Sequence, residues 1–235
     1  MPIFGMFIDP MYLVFMVPGF LLATWATLKV KSNFAHYSRV LSSSGMSGAE
    51  VAREILRKNN LHDVRVVETN GMLSDHYDPR TRTVRLSSDV YRKASVAAVA
   101  VAAHEVGHAL QHAKAYAPLT LRSAAVPLAQ IGSYAPWIIM IGGFVIHSLQ
   151  MVYLGVILFT AVVAFQIITL PVEFNASSRA KEQLAALGLV NSSDAKGVSK
   201  VLSAAAMTYV AGALSAIMTL LYYLMRLGLL GSRDE

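Results

Sequence analysis

The sequence predicts a mostly helical, four-span integral membrane protein with a small α+β cytoplasmic insertion, and three observations support this fold class. Of the 235 residues, 55% are hydrophobic and only 14% are charged, whereas a soluble globular chain carries about 25% charged residues. The mean hydropathy is +0.50. Uncharged residues gather in three long runs, 10–28, 123–172 and 201–225. A chain of this kind cannot cover its apolar surface in water, so disordered, collagenous and ordinary soluble classes are excluded.

The lengths of the three uncharged runs determine the number of spans. They contain 19, 50 and 25 residues, and a transmembrane helix needs roughly 20 apolar residues. The first and third runs therefore hold one span each. The middle run holds two spans, with a turn near His147. We place the four spans at about 9–28, 125–146, 149–170 and 205–227.

The distribution of basic residues orients the chain. The segment 29–122 carries 14 basic and 8 acidic residues, and 171–204 carries 4 basic and 3 acidic residues. Because an excess of Lys and Arg marks cytoplasmic flanks, we expect both segments in the cytoplasm and both termini outside. The excess also favours anionic lipid; no RNA-binding motif accompanies it, so nucleic acid is not an expected partner. The predicted regions are a first span (1–28), a cytoplasmic region (29–122), a transmembrane hairpin (123–170), a second cytoplasmic segment (171–204) and a fourth span with its tail (205–235).

Local patterns predict the α+β fold of the larger cytoplasmic region. Residues 46–60 have a helical pattern that starts with a capping box, in which Ser47 precedes Glu50 by three residues. The segments 64–66 and 83–86 alternate between polar and apolar residues as strands do. The second of these strands offers an edge that an extended substrate could join.

A buried helix, predicted over 94–113, carries the candidate metal ligands and the candidate catalytic base. This stretch is rich in alanine, free of proline, and has apolar positions three and four residues apart. Within it, His104 and His108 lie four residues apart on one helical face, so both imidazoles can reach one ion. Glu105 points about 100° away and can contact a water molecule without being a ligand. Zinc with three protein ligands keeps a position for water and lowers its pKa towards 7, which predicts metal-assisted peptide hydrolysis.

The third ligand has to come from another part of the chain. Because the sequence contains no cysteine, thiolate ligands are excluded. His112 lies about 12 Å from His104 along a straight helix, which is too far for one shared ion. Glu173 stands at the cytoplasmic end of the third span, where an ionisable group is costly enough to indicate a role. An interfacial glutamate paired with Lys181 or Arg179 explains it equally well.

Three segments of the chain together resemble the YugP-type neutral zinc metallopeptidases of bacterial membranes. They are His-Glu-Val-Gly-His-Ala at 104–109, Leu-Ser-Asp-His-Tyr-Asp-Pro at 73–79 and Pro-Val-Glu-Phe-Asn-Ala-Ser at 171–177. The resemblance covers nearly the whole chain, including its pattern of spans. More distantly, the chain is similar to HtpX-type membrane proteases, gluzincins whose third zinc ligand is a glutamate in a Glu-x-x-Ala-Asp pattern. The resemblance implies a gluzincin-like insertion, one Zn²⁺ per chain and a multi-pass protein of the bacterial cell membrane with a cytoplasmic active site.

The same resemblance implies roles for individual residues. It makes Glu173 the third ligand beside His104 and His108, and it puts Ser177 where the family has an aspartate. A carboxylate at that position would orient a zinc-bound histidine, and a hydroxyl does so more weakly. Separately, His76 and Tyr77 could supply a donor to a tetrahedral oxyanion. The alternative for these two residues is a tightly hydrogen-bonded turn.

We therefore expect a membrane-embedded, zinc-dependent endopeptidase that hydrolyses membrane proteins or peptides, with Glu105 activating water. Its expected partners are the lipid bilayer, protein or peptide substrates and a membrane-protein regulator. The alternative is a non-catalytic, zinc-stabilised membrane scaffold, which a fourth protein ligand from His76 or His112 would favour, because structural zinc usually has four protein ligands. A transporter with Glu173 as its ion site ranks below both, because the 50-residue run contains no charge.

Overall fold

The computed structural model describes residues 9–71, 74–132 and 134–229, and most of them are helical. In chain order the described elements are α1 (Pro10–Tyr37), α2 (Gly48–Lys58), β1 (Arg65–Thr69), β2 (His76–Asp78), β3 (Thr83–Ser87), α3 (Ser88–Arg92), α4 (Val96–Ala113), α5 (Ala117–Gly132), α6 (Ala135–Val145), α7 (Leu149–Ala186) and α8 (Ser192–Arg226).

The chain divides into two compact units. The first, which we call the apolar unit, comprises Met1–Trp25, Leu121–Leu170 and Thr208–Glu235. The second, which we call the mixed unit, comprises Ala26–Thr120 and Pro171–Met207. The mixed unit contains the sheet, α2, α3 and α4.

Three helices of the described chain, α1, α7 and α8, are long and apolar enough to cross a membrane. They contain 28, 38 and 35 residues. A further apolar helix, α6, has 11 residues and is therefore about 16 Å long, about half of the 30 Å hydrocarbon core. The described residues thus provide three candidate spans, and the fourth remains a prediction.

The predicted second span, 125–146, is not one helix. It is divided between the end of α5 and the whole of α6. Pro136 lies in the first turn of α6, where its missing N–H removes no hydrogen bond; one turn further into a helix it would clash with the preceding carbonyl. Pro136 is therefore compatible with the start of a new helix at this point of the apolar run. The turn predicted near His147 is confirmed between α6 and α7, and His147 has a φ of 57°.

The helices that carry the other predicted spans extend beyond them. α1 continues nine residues past position 28 to Tyr37, and α7 continues through Pro171 to Ala186. The predicted spans end where charged residues begin. Backbone hydrogen bonding does not stop there, because Lys, Arg and Glu are good helix formers.

The sheet of the mixed unit has the order β1-β3-β2. β3 pairs with β1 in parallel and with β2 in antiparallel orientation, so it is the central strand and is almost wholly buried. The expectation that the 83–86 strand offers an edge is wrong. A local alternation pattern indicates that a segment is a strand, but it does not indicate which strands pair with that segment. Here β1, which is distant in sequence, pairs with the side of β3 that was expected to be free.

The core of the mixed unit forms around α4. Ile55 and Leu56 from α2 and Leu86 from β3 pack in the same cluster as Val99 from α4. α2 begins with the predicted capping box: Ser47 Oγ accepts from Glu50 N at 3.3 Å, and Glu50 Oε2 accepts from Ser47 N at 2.7 Å. This packing holds α4 in place and leaves its histidine-bearing face to α7.

Candidate metal centre

A glycine lets α4 and α7 approach each other at the histidine pair. A Cβ at Gly107 would lie 2.5 Å from Ala176 O and 3.1 Å from Ala176 C, closer than side chains can approach. Only a hydrogen atom fits there, so the two backbones are nearly in contact. Because Glu173 lies one turn before Ala176 on α7, this contact brings its carboxylate to α4.

His104, His108 and Glu173 converge on one small volume. Glu173 Oε2 lies 3.2 Å from His104 Nε2 and 3.7 Å from His108 Nε2, and the candidate ligand atoms all lie within 4.8 Å of one another. Two ligands at about 2 Å from a tetrahedral ion are about 3.3 Å apart, and the two distances from Glu173 Oε2 to the imidazole nitrogens are close to this value. Glu173 is only 2% exposed. Two imidazoles and one carboxylate are a donor set that zinc prefers when one position stays open.

Glu105 lies beside this cluster on the same helix and is buried. Burial raises the pKa of Glu105 to about 7; the charge on His104 opposes this rise, and the carboxylates of Glu173 and Asp75 add to it. The imidazole of His76 lowers the pKa slightly. A carboxyl group with a pKa near neutrality can both accept and release a proton.

Ser177 contacts the first histidine of the motif. Its Oγ lies 3.1 Å from His104 Nδ1, on the opposite side of the ring from Glu173. Ser177 follows Glu173 by four residues on α7, so one helical face supplies both groups. A hydroxyl can donate or accept, and either tautomer of His104 is compatible with this contact.

The sequence reasoning missed Gln111, which contacts the second histidine. Gln111 Oε1 lies 3.0 Å from His108 Nδ1, and the Gln111 side chain is completely buried. Its Nε2 donates to Val172 O at 2.8 Å and to Asn175 Oδ1 at 3.0 Å. The available signal was a polar residue three positions after His108, on the face of α4 that carries the histidines.

His76 and Tyr77 lie on the edge strand β2. His76 is exposed, and its Nδ1 contacts Ser74 O at 2.8 Å. Tyr77 OH lies 2.8 Å from His112 Nδ1, and burial raises the pKa of Tyr77 to about 12, so its hydroxyl stays protonated. Tyr77 and His112 together line a cavity of about 270 Å³. Both residues considered for a fourth ligand thus have polar contacts of their own, and the metal-ligand group found among the described residues has three members.

One of the two alternative partners considered for Glu173, Arg179, is engaged elsewhere. Arg179 Nε donates to Asn175 Oδ1 at 2.7 Å, and its guanidinium lies 6.0 Å from the centre of the Tyr116 ring. Glu173 Oε2 faces the two imidazoles. The geometry therefore favours the ligand interpretation of Glu173 over an ion pair with Arg179.

Comparisons with known proteins point to the same chemistry. A family model described as "Putative neutral zinc metallopeptidase" matches residues 12–228. Over 214 residues the chain is 51% identical to a Bacillus subtilis (strain 168) protein named "Putative membrane protease YugP"; this alignment covers 91% of the chain and 94% of that protein. No solved structure matches the chain.

Proposed function

The chain belongs to this family of neutral zinc metallopeptidases, and we propose that it is a membrane-embedded endopeptidase that uses one zinc ion per chain. The observation that carries the proposal is the convergence of two imidazole nitrogens and one carboxylate oxygen within 4.8 Å. Glu105 stands next to that cluster as a buried carboxyl group. Three protein ligands leave a position for water, as catalytic zinc sites do.

In the proposed reaction, some side chains bind the metal ion and another transfers the proton. Zinc, when bound, supplies a Lewis acid that polarises a peptide carbonyl and lowers the pKa of a water molecule. His104 and His108 would hold the ion through Nε2, and Glu173 through Oε2. Glu105 accepts a proton from water as the water oxygen bonds to the carbonyl carbon. Glu105 then delivers that proton to the amide nitrogen as the C–N bond breaks.

Two further side chains support this chemistry. Ser177 holds the His104 ring from the Nδ1 side, since its hydroxyl lies 3.1 Å away. His76 is the better candidate for the oxyanion donor of the two residues considered, because its ring is exposed. Tyr77 is the weaker candidate, since its hydroxyl contacts His112.

The membrane setting favours membrane proteins or membrane-associated peptides as substrates. Glu173 follows Leu170 by three positions, and Leu170 ends the part of α7 that belongs to the apolar unit. We propose a multi-pass protein of the bacterial cell membrane, with the site on the cytoplasmic side. The basic excess of 29–122 supports this orientation. Its proposed partners are the lipid bilayer, substrate polypeptides and a membrane-protein regulator that controls access.

Zinc analysis combined with peptide hydrolysis tests the proposal. The purified chain in proteoliposomes should contain about one zinc ion and cleave a quenched fluorescent peptide pool. Glu105→Gln should keep the zinc and lose hydrolysis by about 10²- to 10⁴-fold, the contribution of a positioned general base. His104→Ala and Glu173→Ala should lose both, because each removes a ligand. His36→Ala and Glu182→Ala are matched controls away from the cluster and should change neither.

Three outcomes would contradict the proposal. Cleavage by Glu105→Gln at the parent rate would remove the general base. Full zinc content in Glu173→Ala would remove that residue from the site. A parent chain that holds zinc but hydrolyses no peptide in any membrane preparation would favour the scaffold alternative.

A further inference from the structure

The second histidine of the motif begins a chain of hydrogen bonds that ends at a cation. His108 Nδ1 contacts Gln111 Oε1 at 3.0 Å, and Gln111 Nε2 contacts Asn175 Oδ1 at 3.0 Å. Arg179 Nε then contacts the same oxygen, Asn175 Oδ1, at 2.7 Å. The chain therefore crosses from α4 to α7 and runs one turn along α7.

Two groups that contact this series of hydrogen bonds have fixed donor or acceptor roles, and these roles determine the direction of every hydrogen bond in the series. Val172 O is a backbone carbonyl and can only accept, so the atom of Gln111 at 2.8 Å from it must be the amide nitrogen. The guanidinium of Arg179 can only donate, so the atom of Asn175 that it contacts must be the amide oxygen. The oxygen of Gln111 therefore faces His108, and Nδ1 of that ring must carry the hydrogen.

The contact on the Nδ1 side of the first histidine sets no such constraint. His104 Nδ1 contacts Ser177 Oγ, and a hydroxyl rotates to donate or accept. The two candidate ligands are therefore held in different ways: one by a rotatable hydroxyl, and the other by a buried amide whose orientation is fixed from both ends.

We propose that Gln111 is a positioning residue that holds His108 in the Nδ1–H tautomer, so that the lone pair of Nε2 points towards Glu173. Asn175 and Arg179 act through Gln111 by fixing its amide. This inference rests on the proposed zinc site, because a lone pair on Nε2 is what a metal ion requires. Hydrogen-bond partners of metal-bound histidines typically contribute 10- to 100-fold to metal affinity.

The tautomer can be observed directly in the metal-free parent protein. Two-bond ¹H–¹⁵N correlations of the histidine rings should show neutral His108 with its proton on Nδ1 alone. Gln111→Met keeps the side-chain length but removes the amide, so His108 should become a mixture of tautomers. Its zinc affinity, measured by competition with a chelating dye, should fall 10- to 100-fold. Gln183→Met removes a side-chain amide from α7 ten residues beyond Glu173 and should leave both readouts unchanged.

A second pair of variants keeps the test decisive if Gln111→Met does not fold. Asn175→Asp retains an oxygen that accepts from Gln111 and Arg179, so zinc affinity should stay within about threefold of the parent. Asn175→Leu removes that oxygen and should lower the affinity at least tenfold.

The outcomes separate this inference from the proposed function. Parent-like affinity and an unchanged His108 tautomer in Gln111→Met, or a parent ring protonated on Nε2, would overturn the positioning role while leaving the zinc site intact. Equal losses in Asn175→Asp and Asn175→Leu would overturn the role of Asn175. A parent chain without zinc affinity would instead contradict the proposed function itself.

Discussion

The helices α1 and α4 have nearly the same average hydrophobicity and opposite burial. In α4, 14 of 18 residues are buried. In α1 the buried residues are Gly19 and Ala26, seven positions apart. Many large side chains of α1 are exposed, including Phe20 and Leu21, and the buried side chains of α4 are mostly alanine and valine.

This difference is the one expected between a helix in a core that faces water and a helix in lipid, because the two solvents favour contact residues of different size. In water, burying any apolar side chain is favourable, so a core helix such as α4 is buried on almost every side. In lipid, the surrounding chains are as apolar as leucine, and helices associate through small residues that allow close backbone contact. A Cβ at Gly19 would lie 2.6 Å from Ser215 Oγ on α8, which is a contact of this second kind.

The largest expected difference between the two helices concerns one leucine from each. Leu110 on α4 is 4% exposed, and Leu21 on α1 is 59% exposed. Leu110→Ala should lower the free energy of unfolding by about 2–5 kcal/mol, since it leaves a cavity. Leu21→Ala should change it by less than about 0.5 kcal/mol. Thermal unfolding of both variants in the same detergent measures the contrast, and equal losses would contradict the assignment of α1 as a lipid-facing helix.

A smaller effect is expected from the contact between α4 and α7. Gly107→Ala places a methyl group against Ala176 O, and such overpacking costs about 1–3 kcal/mol. Because the strain separates Glu173 from the histidines, zinc affinity should fall at least tenfold, measured by dye competition. Gly212→Ala is the matched control, since its Cβ would lie 3.7 Å from Gln166 Oε1 and fits. Unchanged affinity in Gly107→Ala would show that the site tolerates a wider helix separation.

The smallest predicted effect concerns the end of a helix that packs on α4. Ser47→Ala removes the N-cap of α2 and should lower the free energy of unfolding by about 1 kcal/mol, whereas Ser178→Ala on α7 should have little effect. Hydrogen bonds from Ser47 N and Ser47 Oγ lower the pKa of Glu50 below 4.5, and Ser47→Ala removes only the one from Oγ. The Glu50 part of the stabilisation is therefore complete above pH 4.5 and is lost as the pH falls through the lowered pKa. Urea titrations at neutral and acid pH measure this, and a pH-independent difference would assign the whole effect to the Ser47 hydroxyl.

Features that depend on neighbours in sequence were predictable. The capping box of Ser47 and Glu50 is confirmed, because both of its hydrogen bonds lie within one helical turn. The shared face of His104 and His108 follows from helical periodicity alone. From the residues alone, Glu173 was equally compatible with a ligand and with an ion pair, since its role depends on which helix lies opposite.

Features that depend on contacts distant in sequence were not predictable. Gln111 gains its role from the carbonyl of Val172, 61 residues away, and no local pattern marks that pairing. β3 is the central strand because it also pairs with β1, and an alternation pattern carries no information about neighbours. The interruption before Pro136 was missed for a different reason, because prolines are tolerated inside membrane helices.

The alanine content of α4 has a consequence for conformational entropy. Seven of its 18 residues are alanine and one is glycine, and ordering these side chains on folding removes no rotamer freedom. The side-chain entropy lost when α4 becomes ordered is therefore concentrated in its longer side chains, among them His104, His108 and Gln111. Because the backbone of α4 is already ordered in the folded protein, binding of a metal ion requires little further loss of conformational entropy in this helix.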